Sequence, residues 1–120
     1  MTELESLATE LRSWLLEHDM WMDVTIYFDG KAFSTSDRNG HFYYNDPTHL
    51  VEIENADPHE ITEYAGELLT MTFEGPLYHL LNYGEPDWSL ANEFSSIFNK
   101  HGYWYEQGHA WDLTIYKEGS

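Results

Sequence analysis

The sequence predicts an α+β domain, an antiparallel β-sheet of about five to seven strands with an N-terminal and a C-terminal helix packed on one face. Three observations predict it. Two amphipathic helical segments stand near the ends of the chain, short alternating segments separated by Asp-Gly and Asn-Gly turns lie between and after them, and the two ends resemble each other. At 120 residues the chain is the size of a single domain, so residues 1–120 are read as one unit around one core. With 20 aromatic residues among the 120, that core is expected to be rich in large rings.

Leu4, Leu7, Ala8, Leu11, Trp14 and Leu15 recur at helical spacing and define a first helix from Glu3 to His18. Met22 to Phe28 then reads as a strand, and Asp29-Gly30 as a two-residue turn into a second strand, Lys31 to Thr35. Asn39-Gly40 signals another hairpin into His41 to Tyr44, and Leu50 to Glu54 alternates apolar and acidic residues. Asp57-Pro58-His59-Glu60 has a cap, a first-turn proline and a capping-box glutamate, which predicts a helix of about two turns. Leu68 to Phe73 is a strand, Leu77 to Leu81 a short helix, and Leu90, Phe94, Ile97 and Phe98 mark a last helix ending at Gly102. Tyr103 to Tyr105 and Asp112 to Tyr116 complete the strands around a Glu106-Gln107-Gly108 turn.

The resemblance between the ends is specific. Residues 7–22 align without gaps on 90–105 and, after a six-residue insertion, 23–30 align on 112–119, with 11 of 24 positions identical. Amphipathic periodicity alone does not require His18, Trp21 and Asp23 to match His101, Trp104 and Asp112. Segments 7–30 and 90–119 are therefore read as an internal α–β repeat.

Charge is the outlying property. The chain has 22 Asp and Glu against 5 Lys and Arg, a formal net charge of -17, and no Lys or Arg between Asn39 and Asn99. Repulsion argues against nucleic acid and anionic membranes as direct partners, and a basic protein surface is the expected one. Seventeen charges match only about nine base pairs of duplex, so imitation of DNA would need the acids gathered on one face. The chain contains no cysteine, which removes disulfides, thiolate metal ligands and a cysteine nucleophile. An acidic start and the lack of a long apolar run lead to the expectation of a soluble, cytoplasmic protein.

Seven histidines raise a metal hypothesis, but they form no His-Glu-x-x-His motif, and neither a metal nor a cofactor is expected. His18 and His101 fall at helix ends, where a capping role is expected. No serine stands in a nucleophile elbow, and no catalytic residue is assigned. Glu52 and Glu54 project from one strand face about 7 Å apart, the spacing of a carboxylate pair in a hydrolase and, far more often, of a solvated strand face. With Asp57, Glu60, Glu63 and Glu67 they form the expected partner-binding patch. The leading functional expectation is an acidic inhibitor that occludes the nucleic-acid-binding surface of a basic partner, as a toxin immunity or phage or mobile-element anti-defence protein does. Beside it stand an accessory soluble domain that self-associates as a homodimer, and a small hydrolase using paired carboxylates.

Overall fold

A computed structural model describes residues 1–119. Six strands form one antiparallel sheet, ordered β3-β2-β1-β4-β6-β5, from β1 (Val24–Phe28), β2 (Lys31–Ser34), β3 (Val51–Glu54), β4 (Leu69–Phe73), β5 (Tyr103–Glu106) and β6 (Asp112–Lys117). Three helices accompany it, α1 (Glu3–Glu17), α2 (Gly75–Tyr83) and α3 (Trp88–Lys100). The strand period of two decides which residues meet the helices. Val24, Ile26 and Phe28 of β1, Leu69, Met71 and Phe73 of β4, and Leu113 and Ile115 of β6 are all buried with Leu7, Leu11, Leu15, Phe94 and Phe98 in one core. The opposite face carries Thr25, Tyr27, Thr70, Thr72, Asp112 and Thr114, so the sheet is apolar on the helix side and hydroxyl-lined on the other.

The local chemistry of each terminus follows the sequence. Thr2 caps α1 by accepting from the Glu5 amide, and Asp87 caps α3 by accepting from the Ser89 amide. Gly84 closes α2 at φ 69°, a left-handed conformation that costs a glycine nothing. Asp29 and Gly30 both have positive φ, as the tight turn between β1 and β2 demands.

The two related ends pack against each other reciprocally. Glu10 of α1 binds His101 at the end of α3 at 2.9 Å, and Glu93 of α3 lies 3.8 Å from His18 at the end of α1. Glu10 and Glu93 occupy matching positions in the alignment, as do His18 and His101, so the helices run antiparallel and exchange equivalent contacts. Both histidines are C-cap residues, and each is followed by a positive-φ residue, Asp19 or Gly102. The matched strands β1 and β6 both pair with β4, with Met71 opposite Ile26 on one side and Leu113 on the other. Relative to the alignment this is a shift of two residues, which keeps the same side chains facing the helices. The six-residue insertion carries the turn that adds β5 as an edge strand.

Two expected elements differ. His41 to Tyr44 does not continue the meander, and only Ser36 and Phe42 bridge. Asp37 accepts from the amides of Asn39 and His41 in a tight turn, while Asn45 bonds Trp21 through backbone and side chain and draws the segment onto the α1–β1 connection. The helix expected after Asp57 is a single 3₁₀ turn, Pro58–Glu60. Beyond it Thr62, Tyr64 and Gly66 bond the sheet instead of a further helical turn.

Phe94 is fully buried and contacts Trp14, Phe98 and Tyr105 at the helix–helix and helix–sheet junctions. Phe94→Ala is expected to lower the unfolding free energy by about 3–5 kcal/mol in chemical denaturation, and Thr9→Ala, on the exposed side of α1, to change it by less than about 0.5 kcal/mol.

Candidate partner-binding face

Residues 55–68 cross the hydroxyl-lined face of the sheet as an irregular strap. Asn55 turns the chain at φ 55°, the Ala56 amide bonds the Gly30 carbonyl, and Asp57 caps the 3₁₀ turn through the His59 amide at 2.9 Å. From there side-chain hydroxyls fasten the strap. The Thr62 hydroxyl donates to Asp112 Oδ2 at 2.6 Å, the Thr114 hydroxyl donates to the Tyr64 carbonyl at 2.8 Å, and the Gly66 amide donates to the Thr70 hydroxyl at 3.3 Å.

Asp112 is the centre of this network. It is 1% exposed, and its Oδ1 also accepts from the amides of Gly108 at 3.1 Å and His109 at 2.8 Å. One buried carboxylate thus satisfies donors from the strap and from the 106–111 turn, which burial would otherwise make costly. Glycine permits the close fit. A Cβ on Gly108 would clash with the Tyr64 ring at 2.4 Å, and one on Gly66 would press on Thr114 at 2.8 Å. Glu63 binds His109, which stacks on Trp111 at 4.7 Å and meets the edge of Tyr64 at 4.9 Å.

Four of the six sequence-predicted acids come together on the strap: Asp57, Glu60, Glu63 and Glu67, all exposed. Glu52 and Glu54 do not join them on that face. The register sets Glu52 opposite Phe33 and Glu54 opposite Lys31, which places both on the helix side, where Glu52 binds Lys31 at 2.9 Å. Glu106 of β5, opposite Thr114, adds a carboxylate to the strap face. Large apolar groups share it: Ile61 is 53% exposed, Tyr64 50%, Trp104 42% and Tyr116 41%. Trp104 and Tyr116 form a cross-strand pair with ring centroids 4.8 Å apart. The alternation in β5 and β6 held the signal for this pair. Nothing local marked the link from Asp112 to the strap, because its partner there, Thr62, lies 50 residues away in sequence.

Four of the five basic residues sit elsewhere. Arg12 and Lys100 belong to the helices, Lys31 reaches Glu5 of α1, and Lys117 stands opposite the buried Tyr103. Arg38 borders the strap and donates to the Glu54 carbonyl at 2.6 Å. Grooves of about 440 and 300 Å³ flank the strap, the first holding Asp29, Asp57 and Glu67, the second Asp37, Asp57 and Glu60 together with Arg38. Burial, with Glu60 adding to it, pushes the Tyr27 phenol between them above its usual range. Among the described residues no three of His, Asp and Glu are grouped to hold a metal ion, and no helix is long and apolar enough to cross a membrane.

Comparison with protein-family models, curated proteins and solved structures finds no match for this chain. The face itself therefore carries the functional reading.

Two predictions follow from its physical chemistry. Asp112→Ala strands three donors and is expected to cost about 3 kcal/mol, and Gly108→Ala, which displaces the Tyr64 ring, about 1–3 kcal/mol. Urea denaturation checks both, and a cycle of Asp112→Ala with Thr62→Val should show coupling of at least about 1 kcal/mol. The second concerns pH. Bonds from the Thr48 hydroxyl and amide and from His49 hold the Asp46 carboxyl down at about 2, from an ordinary value of 3.8. Asp37, Asp57 and Asp87 are lowered first by backbone amides of His41, His59 and Ser89, and Glu10 by Lys100. Groups depressed in the folded state stabilise it above their unfolded values and lose that contribution as pH falls through the folded ones. Against this, acid relieves the repulsion of 17 net negative charges. At low salt Tm should rise as pH falls from about 7.5 to about 5.5, where repulsion dominates, and fall below about pH 4, where the lowered carboxylates protonate. Calorimetry checks it, and a Tm unchanged across the upper interval would contradict it.

Proposed function

We propose that this chain is an acidic docking protein that covers a basic protein surface with the strap-bearing face of its sheet. The observation that carries this reading is a group of acids and exposed apolar side chains on a face that four of the five cations do not share. Asp57, Glu60, Glu63, Glu67 and Glu106 surround exposed Ile61, Tyr64, Trp104 and Tyr116 on one face, while four of the five Lys and Arg belong to the other. Apolar anchors within an acidic surround suit a partner that presents both positive charge and apolar contact, since charge steers encounter and apolar burial supplies affinity. A nucleic-acid-binding cleft on an effector or nuclease has that chemistry, and occluding it is the action of an immunity or anti-defence protein. A cytoplasmic setting belongs to the same proposal.

The radius of gyration, 13.2 Å, limits what one copy can cover. The strap face spans a patch of a partner, not an extended duplex-binding channel, so occlusion acts by sitting on the part of the cleft that contributes most to phosphate binding.

The test compares two variants of equal charge change. Glu60→Lys with Glu67→Lys alters the strap by four units, and lysines at Thr9, Ser13, Asn92 and Ser96 alter the helix side by four. For a partner captured from the native host, the strap variant should bind at least about 30-fold more weakly and the helix variant within about threefold of the parent. Affinity should also fall steeply between about 50 and about 500 mM salt. Equal losses in the two variants, or binding indifferent to salt, would overturn the reading.

A further inference from the structure

On the helix side, where α1 ends and α2 and α3 meet, the chain leaves a groove of about 530 Å³. Its floor is apolar: Met20 follows the turn out of α1, Pro76 lies in the first turn of α2, Pro86 follows the end of α2, and Leu90 belongs to the first turn of α3. These four side chains come from four separate pieces of backbone, which is why they meet at a concave surface and not within one helix face. Asp19 turns the chain at φ 57°, and both Asp19 and Glu85 are exposed and line the groove. His18 and His79 complete the lining, and no Lys or Arg is part of it. Trp88 and Tyr83 lie next to these residues in the chain, 57% and 59% exposed.

We propose that this groove is a second docking site, which takes a basic peptide segment bearing one aliphatic or aromatic anchor. The anchor is buried against Met20, Pro76, Pro86 and Leu90, and flanking lysines or arginines meet Asp19 and Glu85. Charge complementarity selects this occupant. The rim is acidic and the chain carries 17 net negative charges, so a second copy of this chain would bring an equal charge against it. An uncharged apolar segment would fill the floor and leave the rim unanswered. The site shares no lining residue with the strap face and stands or falls independently of it.

The probe is a capped pentapeptide with four lysines flanking a central tryptophan, compared with a capped peptide of five lysines. Binding is followed by amide chemical shifts in the full chain. Saturable shifts are expected at Met20, His79 and Leu90, with the all-lysine peptide at least about tenfold weaker. Leu90→Ala should weaken the anchored peptide about tenfold, and Asp19→Asn with Glu85→Gln about fivefold; asparagine tolerates the positive φ at position 19. Glu60→Lys with Glu67→Lys should leave groove binding within about twofold, which separates this site from the strap. If Leu90→Ala loses its dispersed spectrum, the rim variant, which removes no apolar contact, decides. Equal binding of the two peptides, shifts confined to residues 57–67, or groove shifts that depend on protein concentration without peptide would each overturn the proposal.

Discussion

A single buried carboxylate, Asp112, sets what the outer face of this sheet can be. It accepts from Thr62, Gly108 and His109, and so joins the strap, the turn before β6 and the sheet at one point. The hydroxyls of Thr70 and Thr114, 3.2 Å apart, extend the same polar layer along the sheet. An apolar outer face would have called for a second helix layer. A hydroxyl-lined one instead holds an irregular segment by hydrogen bonds, and that segment can carry exposed acids at positions no helix would align.

The opposite face follows different rules. There the sheet buries its aliphatic and aromatic side chains beneath α1 and α3, and the helices meet through Trp14, Phe94 and two reciprocal Glu–His contacts. Four of the five cations lie on this side. Lys31 is held above its usual range by Glu52 and Glu5, and Lys100 binds Glu10. Arg12 lies over the Trp21 ring and donates to the carbonyl of His49. With four of the five cations on the helix side, the strap face keeps a net negative charge.

The helices, the Asp29-Gly30 turn and most strands were legible because local chemistry specifies them. Thr2, Asp87, Gly84 and the Asp29-Gly30 turn each act within a few residues of their own position. The internal resemblance was legible as well, and its equivalent positions Glu10, Glu93, His18 and His101 meet one another across the helix pair. What local pattern did not specify was governed by distant bonds. The Asp57 to Glu67 stretch had helix signals at its start, yet Thr62 and Tyr64 found partners at Asp112 and Thr114. His41 to Tyr44 had a turn signal, yet Asn45 was bound by Trp21. Of the candidate patch, proximity in sequence grouped Glu52 and Glu54 with the strap acids, and strand alternation separated them, since the face a strand residue occupies is fixed by its register and not by its neighbours along the chain.

The fixed strap is the claim on which the acidic face depends, and amide hydrogen exchange in the free protein tests it most directly. The strap amides of Ala56 and Gly66, which donate to the Gly30 carbonyl and the Thr70 hydroxyl, should exchange at least about a thousandfold more slowly than unstructured chain, close to the β4 and β6 amides. Exchange of these two amides at unstructured rates, while the sheet stays protected, would contradict it.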